Sequence, residues 1–296
     1  MWQHRYGIRD ATVTDVELEN IMGIIPRFAT QEPAGPRSDV AVDVHNLTVR
    51  FDDVTAVAGA TVALPTGSLT AIIGPNGSGK STLLSAIAGL VAPSRGSVRV
   101  HGQPPAATHA RIAYVMQSTV DNAAVPLTVR ETVRMGCYAR TGMFGRLRAD
   151  DRAAVDDAIS RMDIADISER QLRELSGGQR QRAYVAQGLA QRADVLLLDE
   201  PITGLDFVTQ QIITDVIAAE RERGHTVVVT THDVGTARAA DLVLLMATEV
   251  VAFGASADTL TPDLLMRAYG GHIHVLDDGT VVLDDPHHHG VPEQLN

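Results

Sequence analysis

The chain has 296 residues, 45% of them hydrophobic, a formal net charge of −11 and a single cysteine, Cys137. An acidic chain whose arginines form no stripe along the sequence is a poor candidate for nucleic-acid binding, and one cysteine excludes both an internal disulfide and a cysteine-based zinc site. No apolar stretch approaches the roughly 20 residues that cross a bilayer, and the N-terminus has no signal pattern. We therefore expect a soluble chain that reaches a membrane only through a partner.

The first 38 residues are expected to form a separate N-terminal extension. Its last part, Gln31–Ser38, is rich in proline and polar residues and is typical of a flexible linker, and a weak amphipathic helix pattern covers Val13–Ile25. The main domain is then predicted to span residues 39–256, with a C-terminal tail over residues 257–296.

Within the main domain, buried strands alternate with helices. Apolar runs predict strands at Val40–Phe51, Ser68–Ile73, Arg111–Met116, Val195–Leu198, Thr226–Thr230 and Leu242–Met246. Helical spacing of apolar residues predicts helices at Lys80–Leu90, Thr128–Tyr138, Asp150–Met162 and Gln179–Ala190. This alternation indicates an α/β core, with an inserted helical subdomain at about residues 118–190.

A glycine-rich loop follows the second predicted strand and opens a helix. It matches the pattern G-x-x-x-x-G-K-[ST], and Thr82 comes directly after it; its members are Gly74, Pro75, Asn76, Gly77, Ser78, Gly79, Lys80 and Ser81. Such glycines let backbone N–H groups face a phosphate, and the helix N-terminus adds partial positive charge. We expect Lys80, the single lysine among 25 basic residues, to hold the β- and γ-phosphates of ATP, and the Ser81 hydroxyl to bind Mg²⁺.

Two carboxylates follow the buried strand Val195–Leu198. Asp199 and Glu200 stand at its C-terminal end, where ligand sites of α/β sheets form. Asp199 is expected to help hold Mg²⁺ through the ion's water shell, and Glu200 to orient or deprotonate the attacking water. An acidic turn after a core strand is the alternative, which the neighbouring phosphate loop disfavours.

The segment Leu175–Gln179 has the sequence LSGGQ and lies upstream of the strand and its two carboxylates. With these motifs in this order, the chain resembles the ATP-binding subunits of ATP-binding cassette (ABC) proteins over about residues 40–255. In that family this motif contacts ATP bound to the opposite subunit, so two chains enclose two nucleotides. The resemblance assigns the trans contact to Ser176, Gly177, Gly178 and Gln179, whereas by itself the motif could be a helix cap.

Four further positions match the family in order. Phe51 resembles the aromatic residue that stacks on adenine, although the family more often has tyrosine there and a core phenylalanine is the alternative. Gln117 matches the glutamine that contacts Mg²⁺ and the attacking water. Asp206 matches the loop that crosses the dimer interface, and His232 matches the histidine that contacts the γ-phosphate, although a lone histidine after a strand is more often structural.

The resemblance also implies an architecture and partners. The expected fold is an ABC-type P-loop nucleotide-binding domain with a RecA-like core, an antiparallel β subdomain and an inserted helical subdomain. The expected assembly contains a second ATP-binding subunit, most simply an identical chain, an integral membrane permease and a solute-binding protein. The chain would then act in the cytoplasm, peripherally on the inner face of the cell membrane.

The stretch between the motifs favours a transporter of small solutes. The segment that separates Lys80 from Leu175 is too short for the coiled-coil arms of repair and chromosome ATPases, and the chain carries one cassette. The segments Pro126–Val129, Val133–Gly136, Thr141–Arg146 and Ala268–Gly271 resemble ATPases of manganese, zinc and iron importers. Pro126–Val129 also resembles the part of the helical insert that receives a cytoplasmic helix of a permease. Import of another small solute, and a regulatory or binding module without transport, are the alternatives.

The C-terminal segment carries five histidines near its end. They are His272, His274, His287, His288 and His289. A regulatory metal site is one interpretation, but no cysteine or ordered carboxylate set accompanies them, so we favour a solvated tail.

Overall fold

The computed structural model describes residues 39–116, 126–142 and 145–270, together with the backbone of two short strands near the C-terminus. The predicted N-terminal extension, Gln117, His272 and His287–His289 lie outside the described residues. Within those ranges, no helix combines the length and the apolar character that a membrane crossing requires.

Eleven strands and ten α-helices make up the described part of the chain. The strands are β1 (Val40–Phe51), β2 (Val54–Pro65), β3 (Leu69–Ile73), β4 (Arg95–Val100), β5 (Ile112–Val115), β6 (Val195–Leu198), β7 (Thr226–Thr231), β8 (Leu242–Ala247), β9 (Glu249–Ala255), β10 (Ile273–Val275) and β11 (Val281–Leu283). The helices are α1 (Lys80–Ile87), α2 (Pro105–Thr108), α3 (Val129–Met135), α4 (Tyr138–Thr141), α5 (Ala149–Arg161), α6 (Gly177–Ala190), α7 (Phe207–Glu222), α8 (Val234–Arg238), α9 (Ser256–Thr259) and α10 (Pro262–Tyr269). Short 3-10 turns occupy His109–Arg111 and Leu172–Glu174.

The central sheet has six strands in the order β5-β6-β7-β3-β8-β9. The first five strands run parallel, and β9 pairs antiparallel with β8 at one edge. All four residues of β6 and all six of β7 are buried, as expected for strands covered on both faces. The carboxyl ends of β3, β6 and β7 therefore meet at one edge of the sheet, where the loops that carry the candidate site begin.

Two apolar cores lie on opposite faces of this sheet. Neighbouring residues of one strand divide between them, because successive side chains of a strand point to opposite faces. Ile73 and Leu198 join the core that the helices α5, α6 and α7 complete. Ile72 and Leu197 join the other core, which is closed by α1 and by a second, three-stranded antiparallel sheet in the order β2-β1-β4. The architecture is thus the expected α/β core with an antiparallel β subdomain.

The helical insert packs around α6. Val129, Val133, Val155 and Ile159 are buried there, with exposures of 2% or less. The predicted helix over residues 128–138 is divided into α3 and α4 at Gly136. A Cβ atom on Gly136 would lie 2.1 Å from the carbonyl oxygen of Gln187 in α6, so a glycine is required where the two segments approach.

The packed domain extends beyond the predicted boundary at residue 256. Leu260, Leu265 and Ala268 are buried in the core beside α5–α7, and α10 packs on β8 and β9. The segment expected to be a tail over residues 257–296 therefore begins with an integral helix. The amphipathic pattern of α10 is short, and the proline at its start weakens the helix signal in the sequence. In the structure this proline occupies the first turn of the helix, where proline is well tolerated.

Candidate functional site

The glycine-rich loop is shaped by close contacts that only glycine allows. Gly79, the residue before α1, has φ 92°, and a Cβ atom there would lie 2.2 Å from the carbonyl oxygen of Ala56. A Cβ atom on Gly74 would lie 2.1 Å from the carbonyl oxygen of Met246. The Ser78 carbonyl oxygen accepts a hydrogen bond of 3.0 Å from the backbone N–H of Thr248. The loop is therefore held between β2 and the β8–β9 turn.

The Lys80 ammonium group lies inside this loop. Its Nζ atom donates hydrogen bonds to the carbonyl oxygens of Gly74, at 2.8 Å, and Pro75, at 3.0 Å, and the residue is 6% exposed. The Ser78 hydroxyl is buried and has no hydrogen-bond partner among the described residues. Ser81, by contrast, is exposed at the start of α1, and Thr82 is half-buried. A buried cation, an unsatisfied hydroxyl and a helix N-terminus suit an anionic ligand such as a phosphate.

Asp199 is fixed by two hydroxyl groups. It is 3% exposed; its Oδ1 atom accepts a hydrogen bond of 2.7 Å from Thr230, and its Oδ2 atom accepts one of 3.1 Å from Tyr114. Burial is the main cause that raises the pKa of Tyr114 to about 12, so the phenol stays protonated and can donate. Both carboxylate oxygens therefore have a donor, and the two hydrogen bonds hold the carboxylate in one orientation.

Glu200 and His232 lie side by side at the ends of β6 and β7. The Nδ1 atom of His232 is 3.9 Å from Oε2 of Glu200, and their side chains are 45% and 14% exposed. Glu200 has φ 46°, a left-handed conformation that is unusual for a residue with a side chain. The structure thus brings His232, at the end of β7, beside the consecutive residues Asp199 and Glu200 at the end of β6.

The LSGGQ segment opens α6 with a capping box. The Ser176 hydroxyl accepts a hydrogen bond from the backbone N–H of Gln179 at 3.2 Å, and the Gln179 side chain accepts one from the Ser176 N–H at 3.1 Å. A Cβ atom on Gly177 would meet no atom within 4 Å. The cap interpretation and the ligand interpretation are therefore compatible, because the cap leaves the Gly177 backbone open to a partner.

Asp206 lies next to this helix start within the same chain. A Cβ atom on Gly178 would be 3.2 Å from Asp206 Oδ2 and 3.0 Å from the hydroxyl of Thr209. Asp206 caps α7, and hydrogen bonds from the backbone N–H and the hydroxyl of Thr209 hold the pKa of its carboxyl below the usual range. The fold therefore joins the LSGGQ helix and the predicted interface loop into one surface.

Phe51 is not a core residue. It ends β1 beside the turn at Asp52, and it is 50% exposed. Its partner across the hairpin, Val54, is 68% exposed. The alternative of a core phenylalanine is wrong, and the ring is accessible to a ligand.

Two residues that contact Asp199 are not among the predicted site residues. Tyr114 and Thr230 contact Asp199, yet the sequence assigns neither a role, although each lies in a strand two or three residues before a predicted site residue, Gln117 or His232. The sequence feature that could have identified them is a polar residue inside a buried strand, because such a residue requires a hydrogen-bond partner.

The helical insert carries a basic cleft of about 650 Å³. Four arginines line it together with Tyr138; they are Arg130, Arg134, Arg146 and Arg152. Arg130 is paired with Asp156 and Glu169, and Arg152 donates to the Leu147 carbonyl oxygen. Arg134 and Arg146 are exposed and form no ion pair with any residue that the structure describes. The sequence does not indicate this cluster, because the arginines belong to three segments, α3, the loop before α5 and α5 itself, which only the fold brings together.

Comparisons with known proteins agree with this geometry. A family model described as ABC transporter matches residues 57–203. The zinc transport system ATP-binding protein TroB of Treponema pallidum is 40% identical over 79% of this chain and 88% of its own length. The manganese transport system ATP-binding protein MntB of Bacillus subtilis is 35% identical over 80% of this chain and 95% of its own length.

Solved structures give the same result. A metal-chelate type ABC transporter in an inward-facing conformation superposes with a TM-score of 0.69 and 26% identity, over 83% of this chain and 96% of the other. A dimeric bacterial ABC transporter cassette superposes with a TM-score of 0.65 and 25% identity, over 73% of this chain and 98% of the other.

Proposed function

The chain belongs to the ABC transporter family as an ATP-binding, ATP-hydrolysing subunit, and from this premise we propose that it drives an importer of a divalent metal ion, manganese, zinc or iron. The observation that carries the catalytic part is the convergence of the Lys80 loop and the group Asp199, Glu200 and His232 at the carboxyl ends of β3, β6 and β7. The similarity to zinc and manganese transport ATPases supports the metal.

Each residue has a distinct role in the proposed hydrolysis. Lys80 places a compact positive charge within the phosphate loop, and the loop's N–H groups bind the phosphates. Glu200, whose carboxylate lies beside His232, orients or deprotonates the attacking water. His232 lies beside Glu200 and is half-exposed, so its imidazole ring can contact the γ-phosphate.

We propose that Ser81, Gln117 and Asp199 hold Mg²⁺, with Asp199 acting through water. Ser81 is exposed at the start of α1, and the Asp199 carboxylate, held by two hydroxyl groups, keeps acceptor capacity for a water molecule of the ion's shell. Bound Mg²⁺ would neutralise phosphate charge during the reaction. Phe51, accessible at the end of β1, would stack on the adenine ring.

The proposed site is completed by a second subunit. Ser176, Gly177, Gly178 and Gln179 would contact the γ-phosphate of ATP bound to the partner, and Asp206 would line the same interface. Because the second phosphate-binding surface exists only when two subunits meet, ATP favours the closed dimer. Opening and closing of the dimer would then move the helical inserts and the permease.

The catalytic proposal is tested by Glu200→Gln. The substitution keeps the size and removes the base, so the assembled transporter should bind ATP with wild-type affinity and lose hydrolysis by a factor of about 100 or more. Phosphate release and binding of a fluorescent nucleotide measure the two steps. A Glu200→Gln protein that hydrolyses at the wild-type rate would show that Glu200 has no catalytic role.

The basic cleft is proposed as the place where the permease docks on the helical insert. It lies close to Pro126–Val129, the segment that resembles a permease-binding site, and two of its arginines are free of ion pairs with described residues. Charge reversal, Arg134→Glu or Arg146→Glu, should prevent co-purification with the permease while leaving ATP binding intact. Arg95→Glu on exposed β4 is the matched control, and equal loss in all three variants would contradict the proposal.

The transported ion and the remaining partners require a test in the cell. We propose a solute-binding protein as a further component, and a position on the inner face of the cell membrane through the permease. A deletion strain should lose growth at limiting manganese, zinc or iron and regain it when that metal is added. Growth that responds to a different small solute would select the alternative substrate.

A further inference from the structure

Thr230 connects the two carboxylate residues of the site through one hydroxyl group. Its Oγ1 atom donates to Asp199 Oδ1 at 2.7 Å and accepts from the backbone N–H of Glu200 at 2.8 Å, and the residue is fully buried. We propose that Thr230 is a positioning residue for ATP hydrolysis, which fixes the Asp199 carboxylate and the Glu200 backbone relative to each other. This inference rests on the proposed roles of Asp199 and Glu200.

Glu200 needs such a contact because of its backbone conformation. Its φ of 46° lies in the left-handed region, which a non-glycine residue occupies only when its surroundings hold it there. The N–H of Glu200 is the group that Thr230 accepts from. Loss of the hydroxyl would leave this N–H without that partner and would allow the Glu200 side chain to turn away from the reacting phosphate.

Tyr114 supports the same arrangement from the opposite side. Its hydroxyl donates to Asp199 Oδ2, and the Ser85 hydroxyl of α1 lies 3.4 Å from it. A chain of hydroxyl contacts therefore extends from the helix that begins at Lys80 to the backbone of Glu200. Tyr114 touches only Asp199 of the two carboxylate residues, so its removal should have the smaller effect on hydrolysis.

The same threonine-to-valine change can be made at two buried sites. Thr230→Val removes the bridging hydroxyl and keeps the shape. Thr70→Val in the adjacent strand β3 is the matched control, because Thr70 is also fully buried but its hydroxyl has no hydrogen-bond partner among the described residues. Thr230→Ser keeps the hydroxyl and removes only a methyl group.

The experiment measures kcat and KM for ATP in the assembled transporter, with thermal unfolding of each variant. We expect Thr230→Val to lower kcat by about tenfold or more with KM within about twofold, because an unpaired buried group changes the reacting geometry and not the phosphate loop. Thr230→Ser should restore most of kcat, Thr70→Val should match the wild type, and Tyr114→Phe should lower kcat less than Thr230→Val.

A double variant separates positioning from general damage. If Thr230 acts through Glu200, Thr230→Val should not lower the residual single-turnover rate of Glu200→Gln any further. Wild-type kcat in Thr230→Val, or an equal loss in Thr230→Ser, would overturn the inference. If Thr230→Val does not fold, Tyr114→Phe takes its place as the test, and an unchanged kcat in Tyr114→Phe would overturn the inference. Hydrolysis at the wild-type rate by Glu200→Gln would instead show that the proposed catalytic role of Glu200, on which this inference rests, is wrong.

Discussion

At the scale of single residues, the phosphate loop depends on glycines for two separable reasons. Gly79 has φ 92° and no room for a Cβ atom, since one would lie 2.2 Å from the Ala56 carbonyl oxygen. Gly77 has φ 78°, but a Cβ atom there would meet nothing within 4 Å. Backbone conformation alone therefore demands glycine at position 77, whereas position 79 demands it for conformation and for space.

This difference predicts the effects of two alanine substitutions. Gly77→Ala should cost about 1–2 kcal/mol of stability, the usual cost of a left-handed conformation. Gly79→Ala should cost more and should also abolish ATP binding, because β2 and the loop must separate. Thermal unfolding and binding of a fluorescent nucleotide check both effects. Equal losses in the two variants would mean that the contact with Ala56 is unimportant.

At the scale of elements, a buried carboxylate joins the helical insert to the core. Glu220 of α7 is 6% exposed and receives hydrogen bonds from Arg161 of α5, at 2.5 Å, and from Arg223, at 2.7 Å. Nδ1 of His225 lies 2.7 Å from its other oxygen. Burial alone would raise the pKa of Glu220, but these hydrogen bonds outweigh it and hold the pKa below the ordinary value.

The sign of the resulting pH dependence follows from linkage. A carboxyl group with a lowered pKa in the folded state adds stability above its unfolded pKa of about 4.5, and that stability is lost as the pH falls through the lower, folded pKa. Glu220→Gln should therefore cost ~3 kcal/mol of unfolding free energy at pH 7, as expected for breaking a buried pair. The difference from the wild type should narrow below about pH 4.5.

Denaturant unfolding at pH 7 and pH 4 measures this difference. The matched control is Glu222→Gln, an exposed glutamate two residues along the same helix, which should change stability by less than about 0.5 kcal/mol. A Glu220→Gln penalty that is independent of pH would show that packing, and not the charge, stabilises the junction between α5 and α7.

At the scale of the whole molecule, Gly177 is a position where a substitution should impair dimer assembly without impairing folding of the single chain. Within one chain a side chain at this position would enter open space, and an acidic residue in the first turn of α6 suits the helix dipole. Gly177→Asp should therefore fold with a wild-type melting temperature. It should not form the ATP-dependent dimer, because the carboxylate would face the γ-phosphate of the partner's nucleotide.

Size-exclusion chromatography with ATP in the Glu200→Gln background measures this effect. The parent should elute as a dimer and the Gly177→Asp double variant as a monomer. Retention of the dimer by the double variant would contradict the placement of the LSGGQ helix at the partner's nucleotide.

Much of the fold could be predicted from local patterns. The observed bounds of Val40–Phe51 and Val195–Leu198 equal the predicted ones, because the first is a β-branched, partly alternating segment and the second an apolar run, and aspartates flank both. Strands β2, β4 and β9 are not predicted individually, since many of their residues are partly exposed and each strand contains a glycine that weakens the strand signal. The integral helix α10 was assigned to the tail, because burial of Leu265 depends on contacts with distant strands.

The sequence by itself determined the family, the phosphate loop and the residues of the candidate site, because each motif lies within a few consecutive residues and its chemistry depends on residue type and spacing. The tertiary structure decided which groups surround those motifs: the hydroxyls of Thr230 and Tyr114 on Asp199, the approach of His232 to Glu200, and the meeting of four arginines in one cleft. These contacts join residues from different strands, helices and loops, so only the packing of those elements creates them.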